Sequence, residues 1–406
     1  MDSVKAVHGT MRLQPDGVLS MLDSRGLPAT AGTGLAGDFA AAVLAGATSS
    51  LTASAGELHA VRTRLPAGDG LEEAAVSVDM TNLSVVIGGD KIIKLVRQWS
   101  GADRSARLLA RLADAGVDSV PGYYGSLEWE HPERGRGTLA LLSALIPDAD
   151  DGWTWAAGDV VDWFRGGAQP DFPAALGRLT AEVHAALFAA DPLPAPGAAE
   201  ARARANGVLD AALALTDGDA GTRLENRAGH LRDLLASIPE TAAPAFDLHG
   251  DLHVGQVLRS EGKYWLLDFD GDPQQPAAER DRPDTAARDV AHLAASLDMV
   301  ASVAARRLQA DDPRSLDRLY GWASEAQAEL VQAYHCAAAE SGFPDLLDEA
   351  VLPGLIAEQL LRELIYAHRY LPRWQYAADG AVTYRFRRDL SRTPQTKEPV
   401  WTPPAS

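Results

Sequence analysis

The sequence predicts an α+β protein of two lobes, the first rich in sheet and the second mostly helical. Three observations carry this. Short β-rich runs punctuated by Gly, Pro, Asp and Thr fill the first 147 residues, and long helical periodicities dominate beyond Trp153. One strand–turn–strand interrupts the helices, running from His249-Gly250-Asp251-Leu252-His253-Val254-Gly255-Gln256 to Asp268-Phe269-Asp270-Gly271.

At 406 residues the chain exceeds one average domain, and its composition divides it into 1–75, 76–147, 148–392 and a Pro-rich tail at 393–406. Apolar residues make up 46% and charged residues 23%, as in a globular body. The 37 Lys and Arg face 56 Asp and Glu, a net charge of −19. That balance argues against a nucleic-acid partner, because there is no basic surplus to release counterions. It suits solubility or a cationic small molecule. No run approaches eighteen uninterrupted apolar residues and the N-terminus lacks the basic and apolar regions of a signal peptide, so a cytoplasmic protein without a membrane partner is expected, as monomer or homodimer. Cys336, the single cysteine, has no internal disulfide partner and no metal-ligand spacing around it; a buried or inert thiol is expected.

Segment 1–75 reads as a small sheet-rich unit with one helix, its alternating runs at Val18–Leu22 and Leu58–Leu65. Gly32-Thr33-Gly34-Leu35-Ala36-Gly37 matches the glycine pattern of a phosphate loop, but the lead-in Arg25 to Thr30 is a poor strand, so a loop or helix cap is expected. From Ala75 the chain becomes β-rich at 76–78, 83–87 and 91–97, with Gly88-Gly89-Asp90 as a hairpin turn. Lys94 lies in the second arm, where a strand lysine can reach nucleotide phosphates, and the polar turn Thr81-Asn82-Leu83-Ser84 can offer amides and hydroxyls to the same anion. A helix is expected over 104–116, closed by Gly116, and an apolar strand over 138–146; Pro147 to Gly152 then breaks the pattern at a candidate hinge.

Beyond Trp153 helices continue to about Pro239, including 174–187 with His184 as a structural polar member. Further helices are expected at 285–305, 313–341 and 355–371. The tail from 393 is expected to be disordered or loosely docked.

Phosphoryl transfer requires divalent cations against the phosphates and a carboxylate aimed at the attacking hydroxyl. Protein kinases supply these with an Asp, an Asn five residues later, and a further Asp on a later strand. Here Asp251 is the candidate base and Gln256, five residues on, carries an amide oxygen able to hold Mg²⁺. Asp268 is the candidate metal bridge to the phosphates, and Asp270, expected on the same face of an extended segment, is a second candidate ligand. A zinc pair at His249 and His253 is disfavoured, because Gly250 and Gly255 argue against a helix.

These stretches resemble the aminoglycoside phosphotransferase-like kinases, and among them maltokinases and glucosamine kinases. The resemblance is carried by 81–86 with Lys94 and Arg97, Asp151-Gly152-Trp153, HGDLHVGQVLR at 249–259, DFDGDP at 268–273, Glu279-Arg280 and Arg288-Asp289-Val290-Ala291. It implies a bilobal, protein-kinase-like fold: an N-terminal cap at 1–75, an intermediate β-rich subdomain at 76–147, and a helical C-lobe with the acceptor site at 148–392. It also implies ATP and Mg²⁺ as cofactors, with Lys94, Asn82 and Ser84 on the nucleotide. The glutamate that pairs with the strand lysine in maltokinases is missing, and only Asp103 stands in that region. The stretch 358–374 is more similar to the glucosamine kinases, which implies an amino sugar as acceptor, ahead of maltose, an aminoglycoside, or no catalysis at all. A buried ammonium needs a carboxylate. Asp298 and Glu363 are the candidates, with Gln359, Tyr366 and Trp374 to bond or stack on the ring; 359, 363 and 366 share a helix face.

Overall fold

The structure, a computed structural model, describes residues 2–76, 82–99, 104–188, 193–275, 277–387 and 401–404. It divides into two compact units, Met1–Ala149 and Asp150–Ser406.

The first unit begins with β1 (Ser3–Lys5), β2 (Gly9–Leu13) and β3 (Leu19–Asp23), followed by helix α1 (Leu35–Ala45) and β4 (Thr52–Ala53). These strands form an antiparallel sheet in the order β3-β2-β1-β4. Then come β5 (Glu57–Arg62), β6 (Glu73–Ala75), β7 (Leu83–Ile87), β8 (Lys91–Leu95), α2 (Arg104–Asp114), β9 (Tyr123–His131) and β10 (Gly135–Ala144). They make a six-stranded sheet ordered β5-β9-β10-β8-β7-β6. Alternation decides which side chains turn inward: Met11 and Leu13 of β2, Val85 and Ile87 of β7, and Ile93 and Leu95 of β8 are buried with Phe39 and Val43 of α1 in one core. The boundary expected at residue 75 therefore falls inside a shared core, and β5 pairs with β9 although it lies in the stretch expected to form a separate cap.

The hairpin of β7 and β8 turns at Gly88 and Gly89, whose φ angles of 61° and 77° suit glycine. Lys94 lies opposite Ser84 on one side and Leu141 on the other. The Gly-rich loop is a helix cap. Gly34 precedes α1, and the amides of Gly32, Gly34 and Gly37 donate to the Glu73 carboxylate at 2.7, 3.0 and 2.7 Å. The loop's anion is thus supplied by the chain itself.

The second unit runs through α3 (Gly152–Phe164), α4 (Phe172–Phe188), α5 (Ala198–Leu215), α6 (Gly218–Ala236), β11 (Ala245–Phe246), β12 (Val257–Ser260), β13 (Lys263–Leu266), α7 (Ala277–Arg280) and β14 (Asp284–Thr285). It continues with α8 (Ala287–Leu308), α9 (Pro313–Glu340), α10 (Leu352–Tyr370) and α11 (Gln375–Arg385). Helix α8 is buried on every side from Asp289 to Ala305 and packs against α3, α9, α10 and α11. Its alanines permit that close approach from all directions, as an all-round buried helix requires. Where α4 crosses α9, a Cβ on Gly177 would meet the Leu330 carbonyl at 2.2 Å, so only glycine fits.

Three expectations change. Cys336, expected as a buried or inert thiol, is exposed on α9, so the buried alternative falls. A further helix, α11, follows the stretch expected to end the helices. Within the tail Trp401 is buried, its ring nitrogen donating to the Tyr376 carbonyl at 3.2 Å, while 388–400, Ser406 and its neighbour lie outside the described residues. Asp103 and Thr81 lie outside them as well. Among the described residues no helix is long and apolar enough to cross a membrane.

Candidate active site

The site in the second unit grows from the loop after β11. Gly250 has φ 84°, and its amide and that of His249 point together at Asp289, in the first turn of α8, which accepts them at 2.9 and 2.7 Å. His184 of α4 donates through Nε2 to the same carboxylate at 3.1 Å, and its Nδ1 then accepts from the Tyr334 hydroxyl at 2.9 Å. Burial pushes the Asp289 carboxyl up, but the hydrogen bond from His184 and the nearby imidazoles outweigh it and hold the group below the carboxylate range. His184 is thus structural, and what it supports is the loop.

His249 ties the two motif halves together. Its Nε2 donates to the Leu267 carbonyl at 2.7 Å and its Nδ1 accepts the Asp251 amide at 3.2 Å; the ring rests on Phe269, centroid to centroid 4.8 Å. The Leu267 amide in turn donates to the Gln256 carbonyl at 2.8 Å. His253 Nδ1 accepts the Gly255 amide at 3.0 Å, and among the described residues no group of three or more His, Cys, Asp or Glu is arranged to hold a metal ion.

Asp251 sits where these constraints converge. The Gln256 amide nitrogen lies 3.4 Å from Asp251 Oδ2, and His292 Nδ1 lies 3.7 Å from Oδ1. Burial pushes this carboxyl well up; His292 opposes the rise, and Asp272, Glu363 and Asp268 add to it. The Asp251 carboxyl is therefore held among other acids, an environment suited to a proton acceptor of tuned strength.

Asp268 has a left-handed backbone, φ 60°, and is exposed, whereas Phe269 after it is buried. The extended strand ends at Leu266, so the alternation expected to place Asp270 on the face of Asp268 does not hold. Asp272, not foreseen as a site residue, is buried, and its carboxylate accepts the Gln274 amide at 2.8 Å.

Helix α3 is set against the loop by Asp151-Gly152-Trp153. Asp151 caps the helix by accepting the Thr154 amide at 3.1 Å. A Cβ on Gly152 would lie 1.7 Å from the Val254 carbonyl. That contact brings Trp153 alongside His253, ring centroids 5.9 Å apart, and Trp374, at 5.2 Å, joins from beyond α10. Burial, followed by the neighbouring His292, lowers His253 from 6.5 to about 3, so its ring is neutral.

On α10 the expected face is present. Gln359 donates to Glu363 at 2.9 Å, and Glu363 Oε1 meets His292 Nε2 at 3.1 Å. Burial works against the Glu363 carboxylate, but the hydrogen bond and charge of His292 outweigh it, so Glu363 is held low and ionised. For His292 burial likewise opposes the charge, and Glu363, Asp251 and Asp272 raise its pKa above the ordinary value. The Tyr366 phenol is raised by burial and then by the charges of Asp251, Glu363 and Asp272.

The structure thus gathers Asp251, Gln256, Gln359, Glu363 and Tyr366, with Trp374 joined through Trp153 and His253. It does not gather Asp298. That residue lies on the other side of α8, buried, where Arg385 and Gln327 donate to its Oδ2 at 3.0 and 2.8 Å. Six positions after His292 the helix has turned through about 600°, which points the side chain away from the loop; the expected acceptor carboxylate is corrected to a structural one. His292 and Asp272 were not singled out from sequence, and His253 was weighed only as half of a zinc pair. The signal for His292 was its place three residues after Asp289, on a face continued by Ser296, whose hydroxyl accepts the Val254 amide at 3.1 Å. In the first unit, the Asn82 side-chain oxygen accepts the Arg97 amide at 3.1 Å, which fixes the polar turn beside the strand that carries Lys94.

A loop that buries an aspartate among acids, a second aspartate-rich turn behind a short hairpin and a helical frame fit a kinase-like phosphotransferase. No family model matches the chain. A glucosamine kinase of Streptacidiphilus jiangxiensis is 38% identical over 325 residues, covering 77% of this chain and 73% of the relative. One of Mycolicibacterium smegmatis (strain ATCC 700084 / mc(2)155) is 34% identical over 319 residues, covering 76% and 78%. Among solved structures, a glucosamine kinase in complex with glucosamine, ADP and inorganic phosphate has a TM-score of 0.78 at 31% identity, covering 95% of this chain and 94% of that one. The chain belongs to the glucosamine kinase family.

Proposed function

We propose that this protein is an ATP-dependent kinase that transfers the γ-phosphoryl group to a hydroxyl of glucosamine, giving glucosamine 6-phosphate. The observation that carries the reading is the pair formed by Asp251 and the ionised Glu363, one residue suited to a hydroxyl proton and the other to an ammonium, joined by His292. Family membership and the likeness to a glucosamine-bound structure support it.

In this reading the sugar ring packs against Trp374 while its ammonium meets Glu363, with Gln359 and Tyr366 bonding its hydroxyls. The attacking hydroxyl delivers its proton to an Asp251 carboxylate oxygen as its own oxygen bonds to the γ-phosphorus and the bond to the β-phosphate oxygen breaks. Lys94, with Asn82 and Ser84 in the turn and arm before it, serves the nucleotide phosphates.

The donors that Gln256, Asp268 and Asp270 would offer are hard oxygens, as Mg²⁺ prefers, and the Gln256 amide nitrogen is directed at Asp251, so its oxygen would be the atom to coordinate a metal. When bound, Mg²⁺ would neutralise phosphate charge there.

ADP release measured across glucosamine, glucose, maltose and an aminoglycoside tests the proposal. Turnover confined to glucosamine supports it; turnover on maltose instead, or ATP binding without release on any acceptor, sinks it.

A further inference from the structure

Among the described residues His292 stands between the two halves of this site, and no step of the proposed chemistry passes through it. From α8 its Nε2 meets Glu363 at 3.1 Å, within hydrogen-bond range, while its Nδ1 stands 3.7 Å from Asp251, just beyond it. The ring is buried, 5% exposed, and the groups facing it are Asp251, His253 and Asp272 from the loop region and Glu363 from α10.

We infer that His292 is a positioning residue that couples recognition of the acceptor's amino group to placement of the base. This rests on the functional reading above. In the protein without acceptor, His292 Nε2 and the Gln359 amide both engage Glu363 Oε1, at 3.1 and 2.9 Å. An arriving ammonium competes for that carboxylate, and two cations on one buried acid repel. The ring then yields at Nε2, and the short remaining gap at Nδ1 is free to close on Asp251. A neutral sugar brings no competing charge, so the ring stays with Glu363 and Asp251 keeps its looser setting. The discrimination between amino and neutral sugars is thereby read in the chemical step as well as in binding.

A histidine NMR titration of the full-length protein provides the first test, with the His292 signal identified by its loss in His292→Gln. Its midpoint should fall by about one pH unit or more in Glu363→Gln, and also when glucosamine is added to the wild type. Kinetics provide the second. His292→Gln should lower kcat on glucosamine by about 10–100-fold with a smaller change in KM, and should shrink the preference for glucosamine over glucose. Because the two residues act as a unit, the double variant His292→Gln/Glu363→Gln should be little worse than Glu363→Gln alone. An additive double variant, or a midpoint that ignores both Glu363→Gln and glucosamine, overturns the coupling. His292→Asn, of different reach, repeats the measurement should the Gln variant melt early. A midpoint that moves in Glu363→Gln while wild type releases no ADP with glucosamine overturns the acceptor, and with it the coupling to an amino group, but leaves the pair intact; the two failures are distinct.

Discussion

Asp289 grips the amides of His249 and Gly250 with its two carboxylate oxygens, at 2.7 and 2.9 Å, so the conformation of the base-bearing loop is dictated from the first turn of α8. An Asp289→Asn variant offers one acceptor where two are needed and sets an amide N–H against a backbone donor. Leaving a buried donor unmet costs about 1–3 kcal/mol. The expected result is a lower melting temperature together with kcat reduced by about 100-fold or more, since displacement of the base by an ångström is costly. Parallel thermal melts and ADP-release rates check it.

Asp251→Asn should separate activity from stability. Burial and neighbouring acids hold the Asp251 carboxyl well above its ordinary value, so its ionised form disfavours the folded state at neutral pH, and that cost is absent only on the acid side. Removing the charge should leave the melting temperature of the nucleotide-free protein unchanged or higher while kcat falls by about 10²–10⁴-fold. A variant that melts early, or one that stays active, contradicts the role given to this group.

The two histidines beside the base, ring centroids 5.3 Å apart, should act in opposite directions on stability. His253 is lowered from 6.5 to about 3, so below 6.5 the unfolded chain takes up a proton that the folded ring refuses. Its contribution is present above pH 6.5 and is lost as the pH falls towards 3. His292 is raised; its contribution is present on the acid side and is lost as the pH rises through its folded value. Denaturation midpoints followed from acid to neutral pH should therefore show a shallower acid decline in His253→Asn than in wild type, and a steeper one in His292→Gln.

Arg385→Leu should strand Asp298. The carboxylate would remain buried with Gln327 alone, which costs about 3–5 kcal/mol when one partner of a buried pair is removed. Chemical denaturation should show that loss, with kcat/KM on glucosamine in the surviving folded fraction within about twofold of wild type. A tenfold rise in KM at unchanged stability would return Asp298 to the acceptor.

What the sequence disclosed was chemistry fixed by local spacing. The run from His249 to Asp270 contains its own turn glycines and the carboxylates proposed as base and metal donors, and the glycines at 88 and 89 announce their hairpin. The shared face of 359, 363 and 366 on α10, proposed to meet the acceptor, was legible because these positions are a helical turn apart. His292 and Asp272 were not, since their meaning depends on how α8 and the turn after β13 approach Asp251. Asp298 misled for the same reason: a carboxylate on the right helix was read without its direction. The expected boundary at residue 75 failed because strand pairing of β5 with β9 joins residues more than sixty positions apart, which no local signal records.

Along α8, Asp289 and Ser296 hold the loop by hydrogen bonds at His249, Gly250 and Val254, two attachment points on one rigid rod. A small slide or tilt of that rod carries the loop with it as cargo. The loop's pose at those hydrogen bonds would then travel with the helix, while the separation of His292 and Asp251 is left free to change.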